Sequence, residues 1–212
     1  MQKDRARGLP LKSWLEVKRI LGVSGKIGSG KTTFAKEVQA VCEERGISVR
    51  MINFADRIKT GVSHLFDFPL AWCYTQEGKN NPVAGFDMTV GELLQRFGTE
   101  VGRAIDKDVW VKIAMQQAAK AEEDLVIIGD VRFPNEASEL SKEHLVIRMH
   151  GDPCGIRESS NRDHQHSSET ALDKWAWPIT DIVDNKDMDM NRLHWQAVGV
   201  VKRLFRKDLG KK

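Results

Sequence analysis

The stretch Gly25-Lys26-Ile27-Gly28-Ser29-Gly30-Lys31-Thr32 fits the pattern GxxxxGK[ST]. Ahead of it, Ile20-Leu21-Gly22-Val23 reads as a buried strand. Behind it, Phe34, Val38, Val41 and Cys42 recur at helical spacing, and Gly46 marks the stop. Strand, glycine-rich turn and helix in that order make an anion cradle. Glycines let successive amides point inward without side-chain obstruction, and the helix offers its positive end. In such a cradle Lys31 reaches β- and γ-phosphates, and the Thr32 hydroxyl is placed to ligate Mg²⁺. A dinucleotide fingerprint is excluded, because Thr33 sits where GxGxxG needs its last glycine. Asn185-Lys186-Asp187 is followed by Met188, so the N-K-x-D of a GTPase is missed too.

Outward from the loop, short apolar runs alternate with helical stripes. Val49 to Phe54 is a second strand, and Ala55 to Phe66 a helix closed by the Asp67-Phe68-Pro69 turn. Residues 75–88, rich in Gly, Asn and Pro, read as a loop. Thr89 and Glu92 have capping-box spacing, and Val90, Leu93, Leu94, Phe97, Val101 and Ile105 supply the stripe behind them. A helix from Asp108 to Ala121 precedes the apolar run 125–129, a strand buried on both faces. Pro134 opens a helix to Lys142, and Leu145 to Met149 is another strand. Ile179 to Val183 is a weaker strand, and Asn191 to Phe205 a closing helix. The alternation predicts an α/β fold with a doubly wound parallel sheet flanked by helices.

Composition fits that architecture. The chain has 212 residues, 41% of them hydrophobic and 30% charged, enough to bury a core without disulfides. A net charge of +3 does not announce a nucleic-acid binder, and the basic tails read as solvated ends. No charge-free stretch is long enough to span a bilayer, and no apolar leader precedes LKSWLEVKR. Cys42, Cys73 and Cys154 are odd in number and far apart, which predicts free thiols and a reducing cytoplasm.

Asp130 ends the run 125–129, where open α/β sheets bind ligands. It reads either as a Walker B-type metal partner or as a cap near Pro134. Arg132, two residues on, can clamp a second anion or be a surface charge. Glu92, Arg96, Thr99 and Arg103 fall in one helical row, which predicts a solvated face with a Glu92–Arg96 ion pair. Arg157, Arg162, His164 and His166 crowd the polar segment 151–170, read as a mobile lid over phosphate or as an ordinary long loop. Cys154, His164 and His166 fit no standard zinc spacing.

GKIGSGKTT, FADRIK, LLQRFGTEVGR, DVW, GDVRFPNEA and HSSET, in this order, resemble the bacteriophage deoxynucleoside monophosphate kinases, a branch of the P-loop nucleoside monophosphate kinases. The resemblance runs from about Ile20 to the final helix. It implies an extension over 1–18 and a P-loop kinase domain over 19–208, with a monophosphate-binding region at about 54–110 and a lid at about 151–170. It implies that Gly28, Ser29, Gly30, Lys31, Thr32 and Thr33 hold ATP, with Mg²⁺ on Thr32 and Asp130. The monophosphate site falls on Lys59, Gly98, Thr99, Trp110, Asp130, Arg132 and Glu136. Lys31, Arg132, Asp130 and the lid arginine Arg157 would serve phosphoryl transfer. One departure is that Gly91 and Glu92 stand where such kinases often carry an arginine. The implied partners are ATP and a deoxynucleoside monophosphate in the cytoplasm, with no membrane and no stable nucleic-acid partner; a homodimer is compatible. Two rivals are a kinase of the dephospho-coenzyme A type, whose hydroxyl acceptor needs a base, and an ATP-driven nucleic-acid motor. Asp130 is the base candidate for the first, and Val131 replaces the glutamate usual in the second.

Overall fold

The computed structural model describes residues 19–153, 155 and 165–206. Five strands, β1 (Arg19–Gly25), β2 (Val49–Ile52), β3 (Leu125–Val131), β4 (Leu145–His150) and β5 (Ile182–Asp184), form one sheet in the order β2-β3-β1-β4-β5. Every pairing is parallel, so each connection crosses over through helices. These are α1 (Lys31–Glu43), α2 (Phe54–Leu65), α3 (Gln76–Asn80), α4 (Val90–Arg96), α5 (Gly102–Ile105), α6 (Val109–Ala119), α7 (Pro134–Ser141), α8 (Ser167–Thr170) and α9 (Met190–Leu204). The expected α/β P-loop architecture is present.

Strand alternation sorts the core into two layers. Leu21 and Val23 of β1 and Leu125 and Ile127 of β3 face one side, against Phe34 and Val38 of α1 and Ala197 and Val201 of α9. Ile20, Val126 and Ile128 face the other, where α2, α4, α6 and α7 bring Val62, Leu93, Met115 and Leu140. The apolar run of β3 is buried on both faces because helices cover both. No described helix is long and apolar enough to cross a membrane.

Local chemistry explains where the elements depart from the periodicity. The strand expected to reach Phe54 stops at Ile52, because Asn53 is a better helix cap than strand residue. Asp56 closes that cap by accepting the Asn53 backbone N–H at 3.1 Å. The expected loop 75–88 contains α3, whose cap Thr75 accepts the Gly78 amide at 2.9 Å. A Cβ on Gly78 would lie 2.4 Å from Trp72 Cα, so this turn admits only glycine. The capping box at Thr89 forms as predicted, with Glu92 accepting the Thr89 amide at 2.7 Å.

The helix predicted to run on from there is interrupted by a π-turn over Phe97–Val101. A π-turn inserts extra residues per turn and rotates everything after it, so the polar row does not survive. Arg96 stays exposed, and Glu92 spends its carboxylate on Thr89 rather than on the expected ion pair. Thr99 and Arg103 turn inward to the site described next.

Candidate active site

The chain leaves β1 at Gly25 and folds into a closed loop before α1. Ser29, wholly buried, donates its hydroxyl to the Lys26 carbonyl at 2.8 Å, and the Lys31 ammonium donates to the same oxygen at 2.7 Å. Gly28 and Gly30 take φ values of 77° and 84°, left-handed backbone that side chains disfavour. Gly30 has a second constraint: a Cβ there would lie 2.3 Å from Asn185 Nδ2. Asn185, buried beyond β5, donates that amide to the Ser29 carbonyl at 3.2 Å. The near miss Asn185-Lys186 thus braces the loop. Burial and the adjacent Arg132 guanidinium pull the Lys31 pKa from 10.5 down to about 7, against Glu169 and Asp130. A lysine so placed is a cation short of an anion.

At the end of β3, Asp130 accepts the Phe54 amide at 2.7 Å on one oxygen and the Ala55 amide at 3.1 Å on the other. It is a cap after all, but of α2 rather than of the helix after Pro134. Burial pushes its pKa up, while those two amides and Arg132 pull against it. Arg132 lines the cavity beside it and donates to Glu169 and, at 3.2 Å, to the Ser168 carbonyl. Glu136 is 2% exposed, the least accessible of the described carboxylates at the site. It accepts the Arg132 and Phe133 amides at 2.8 and 3.0 Å and pairs with Arg103 at 2.6 Å. Burial raises its pKa to about 7 in spite of these donors.

Arg103 also lies 3.7 Å over the Phe133 ring, so guanidinium, ring and carboxylate form one wall. Trp110 supplies the neighbouring wall. Its indole N–H donates to the Gly98 carbonyl at 2.6 Å, inside the π-turn, where backbone carbonyls are displaced from helical partners. The ring lies on Gly102: a Cβ there would meet Trp110 Cζ2 at 2.1 Å. Gly102→Ala is therefore expected to overpack this contact and lower the unfolding temperature by about 3–10 °C, read by thermal denaturation. Thr99 donates its hydroxyl to the Gln95 carbonyl at 2.7 Å. Lys59 pairs with Asp56 at 3.3 Å and sits 4.3 Å over the Tyr74 ring.

A single cavity of ≈ 890 Å³ joins these parts. Its walls include the P-loop residues Gly28, Gly30, Lys31, Thr32 and Thr33 together with Lys59, Gly98, Thr99 and Trp110. Asp130, Arg132 and Glu136 lie on it as well. Of the predicted residues, Ser29 is buried behind the loop, and Arg157 lies outside the described residues, as do Arg162, His164 and Cys154. Among the described residues no cluster of three His, Cys, Asp or Glu could hold a metal. Cys42 and Cys73 are free and buried. Sequence reasoning missed Arg103, Asn185 and Glu169. Helical spacing put Arg103 on the wet face, and only the π-turn brings it in. Asn185 was visible as a broken motif. Glu169 carried no signal beyond its place in HSSET.

No family model matches the chain. A deoxynucleoside-5'-monophosphate kinase of Escherichia phage T5 is 33% identical over a stretch covering 40% of this chain and 38% of that protein. The similarity thus spans under two-fifths of that relative's length. Among solved structures, the APS kinase of Mycobacterium tuberculosis is similar with a TM-score of 0.48 and 14% identity, over 90% of this chain and 98% of that one. A shikimate kinase of Bacteroides thetaiotaomicron gives 0.45 and 17%, over 89% and 98%.

Proposed function

We propose that the chain transfers the γ-phosphoryl group of ATP to a deoxynucleoside monophosphate, giving ADP and the diphosphate. The observation that carries this reading is one cavity lined by the P-loop and by Lys59, Gly98, Thr99 and Trp110, with Arg132 on the same lining. Similarity to the phage kinase over part of the chain supports the choice of acceptor. So does the state of the carboxylates. A hydroxyl acceptor needs a base, and the cavity's two carboxylates already have structural work, Asp130 at the start of α2 and Glu136 on two amides and Arg103. A phosphate monoester needs none, since its second pKa is about 6 and it arrives ionised. Its oxygen attacks the γ-phosphorus, the bond to the bridging oxygen breaks, and ADP leaves. The protein's work is to align two anions and neutralise the charge between them.

Lys31 performs part of this by exchanging the Lys26 carbonyl for phosphate oxygens, and Arg132 faces the transferring group. Mg²⁺ keeps most of its waters and asks a protein for one or two oxygens. Thr32, second residue of α1, and Asp130 both line the cavity, so the residues fit such an ion. Thr32 and Asp130 would be the residues to hold it, Asp130 with the lone pairs that the Phe54 and Ala55 amides leave over. The ion supplies charge neutralisation at the β- and γ-phosphates. Arg157 is assigned to the lid by sequence alone.

The test is phosphoryl transfer from Mg-ATP to dAMP, dGMP, dCMP and dTMP separately, with Lys31→Ala as control. ADP and the matching diphosphate should form in equal amounts and vanish in the control. ATP loss without a diphosphate, or no turnover with all four, would refute the assignment.

Binding should also carry a proton signature. Lys31 titrates near 7 without ligand, and a polyphosphate favours its cation, so the pKa rises on binding. Between about pH 8 and 9.5 nucleotide binding should take up close to one proton, and affinity should weaken as pH rises. Calorimetry in buffers of different ionisation enthalpy reads this directly. Uptake should be absent in Lys31→Ala.

A further inference from the structure

Three cations around the P-loop are held by one short stretch of chain. Lys26 pairs with Asp173 at 2.7 Å, Arg148 lies 3.5 Å from the same carboxylate, and Arg132 pairs with Glu169. Of the two acids, Glu169 stands apart. It is 6% exposed, whereas the Asp173 side chain is 38% exposed. It does not line the cavity, whereas Arg132 and Ser168 do. Its two oxygens do separate work: Oε1 accepts from Arg132 Nη1, and Oε2 accepts the Ile27 amide of the P-loop at 3.1 Å.

We propose that Glu169 is a positioning residue for phosphoryl transfer, its carboxylate fixing the Arg132 guanidinium against the P-loop at Ile27. This rests on the kinase reading above. A buried carboxylate is costly unless paired, and an apolar residue opposite Arg132 would neither balance its charge nor orient its guanidinium. Both contacts of Arg132 to α8 are made by Nη1, to Glu169 and the Ser168 carbonyl, and the residue also lines the cavity. The Ile27 contact then ties that orientation to the loop that holds the donor phosphates. One carboxylate thereby sets the spacing between the cradle and the arginine that faces the transferring group. Glu169 stays ionised to do so: burial works against it, but Arg132 and the Ile27 amide hold its pKa below the ordinary value.

A merely structural role and a positioning role differ in a double-mutant cycle. The full chain would be assayed as wild type, Glu169→Gln, Arg132→Ala and the double variant. The assay uses Mg-ATP and whichever deoxynucleoside monophosphate the wild type prefers, with KM and kcat separated and unfolding temperatures recorded. Glu169→Gln is expected to lower kcat by about 10- to 100-fold, the usual loss when a group that orients a functional side chain is removed. KM for ATP should move by less than about threefold, since uniform binding is untouched. In the Arg132→Ala background the same substitution should have almost no further effect on kcat, because the two act as a unit. Glu169→Asp, which keeps the charge but is one methylene shorter, should recover part of the loss. Additive effects of the two substitutions, or a Glu169→Gln kcat within twofold of wild type, would overturn the proposal. So would a loss explained entirely by a smaller folded fraction. An inactive wild type would instead overturn the kinase reading, and this inference with it.

Discussion

Lys31→Ala is expected to lower turnover by about a hundredfold or more, the effect of removing one preorganised donor from a charge-stabilising site. The same substitution should leave the fold intact. Free of ligand, the Lys31 side chain is half-buried beside Arg132, and desolvation chiefly draws its pKa down from 10.5 to about 7. A cation held in that state opposes folding at neutral pH, because the unfolded chain binds its proton more readily. Removing it relieves that opposition and forfeits one hydrogen bond to the Lys26 carbonyl. The unfolding temperature of the variant should therefore match or exceed that of the wild type while activity collapses. Residue 31 then trades stability for function, as groups preorganised for a ligand do. Near-normal turnover in a clean preparation of the variant would remove the P-loop from the mechanism.

Glu136→Ala has the opposite profile. Its carboxylate holds the Arg132 and Phe133 amides that open α7 and is the ion partner of Arg103. Truncation strips two donors of their acceptor and leaves a guanidinium, with its side chain only 16% exposed, without its partner charge. Breaking a buried pair from one side costs up to about 3–5 kcal/mol, offset in part because burial already disfavours the Glu136 charge and raises its pKa to about 7, so the unfolding temperature should fall by at most about 6–20 °C. Circular dichroism melts of wild type, Glu136→Ala and Glu136→Gln would measure it. The Gln variant should fall between, because its oxygen can keep the amides while its NH₂ group faces Arg103 without accepting from it. A Glu136→Ala melt within about 2 °C of wild type would show that Arg103 finds other partners at no cost.

These two residues mark what could and could not be read from the sequence. Lys31 belongs to a contiguous motif whose strand, turn and helix are all local, so residue types and spacing suffice to place it. The same holds for β3, whose unbroken apolar run Leu125–Ile128 announces burial on both faces, and for the capping box at Thr89. Strand boundaries were less legible where a cap competes, as at Asn53, which ends β2 before Phe54.

The cavity's lining beyond the P-loop was legible only as a set of names. Gly98, Thr99 and Trp110 belong to segments whose relation depends on one π-turn, and helical periodicity cannot register an inserted residue. That turn sends Arg103 inward to Glu136 and leaves Arg96 in solvent, though a regular helix would put both in one row. Asp130 shows a different limit. Its position at a strand end was clear, but which amides it caps depended on α2 packing beside β3, 76 residues away in sequence.

By itself, then, the sequence determined the alternation of strands and helices, the P-loop and its glycines, and the identity of the candidate phosphate ligands, because each is written within one turn or one strand. Tertiary structure decided the partners of the charges. Glu169 on Arg132 and Ile27, Asn185 on Ser29 and Arg103 on Glu136 are pairings across 33 to 156 residues. Buried charges and amides must be satisfied by whatever the fold brings within about 3 Å, and no local pattern encodes which residue that will be.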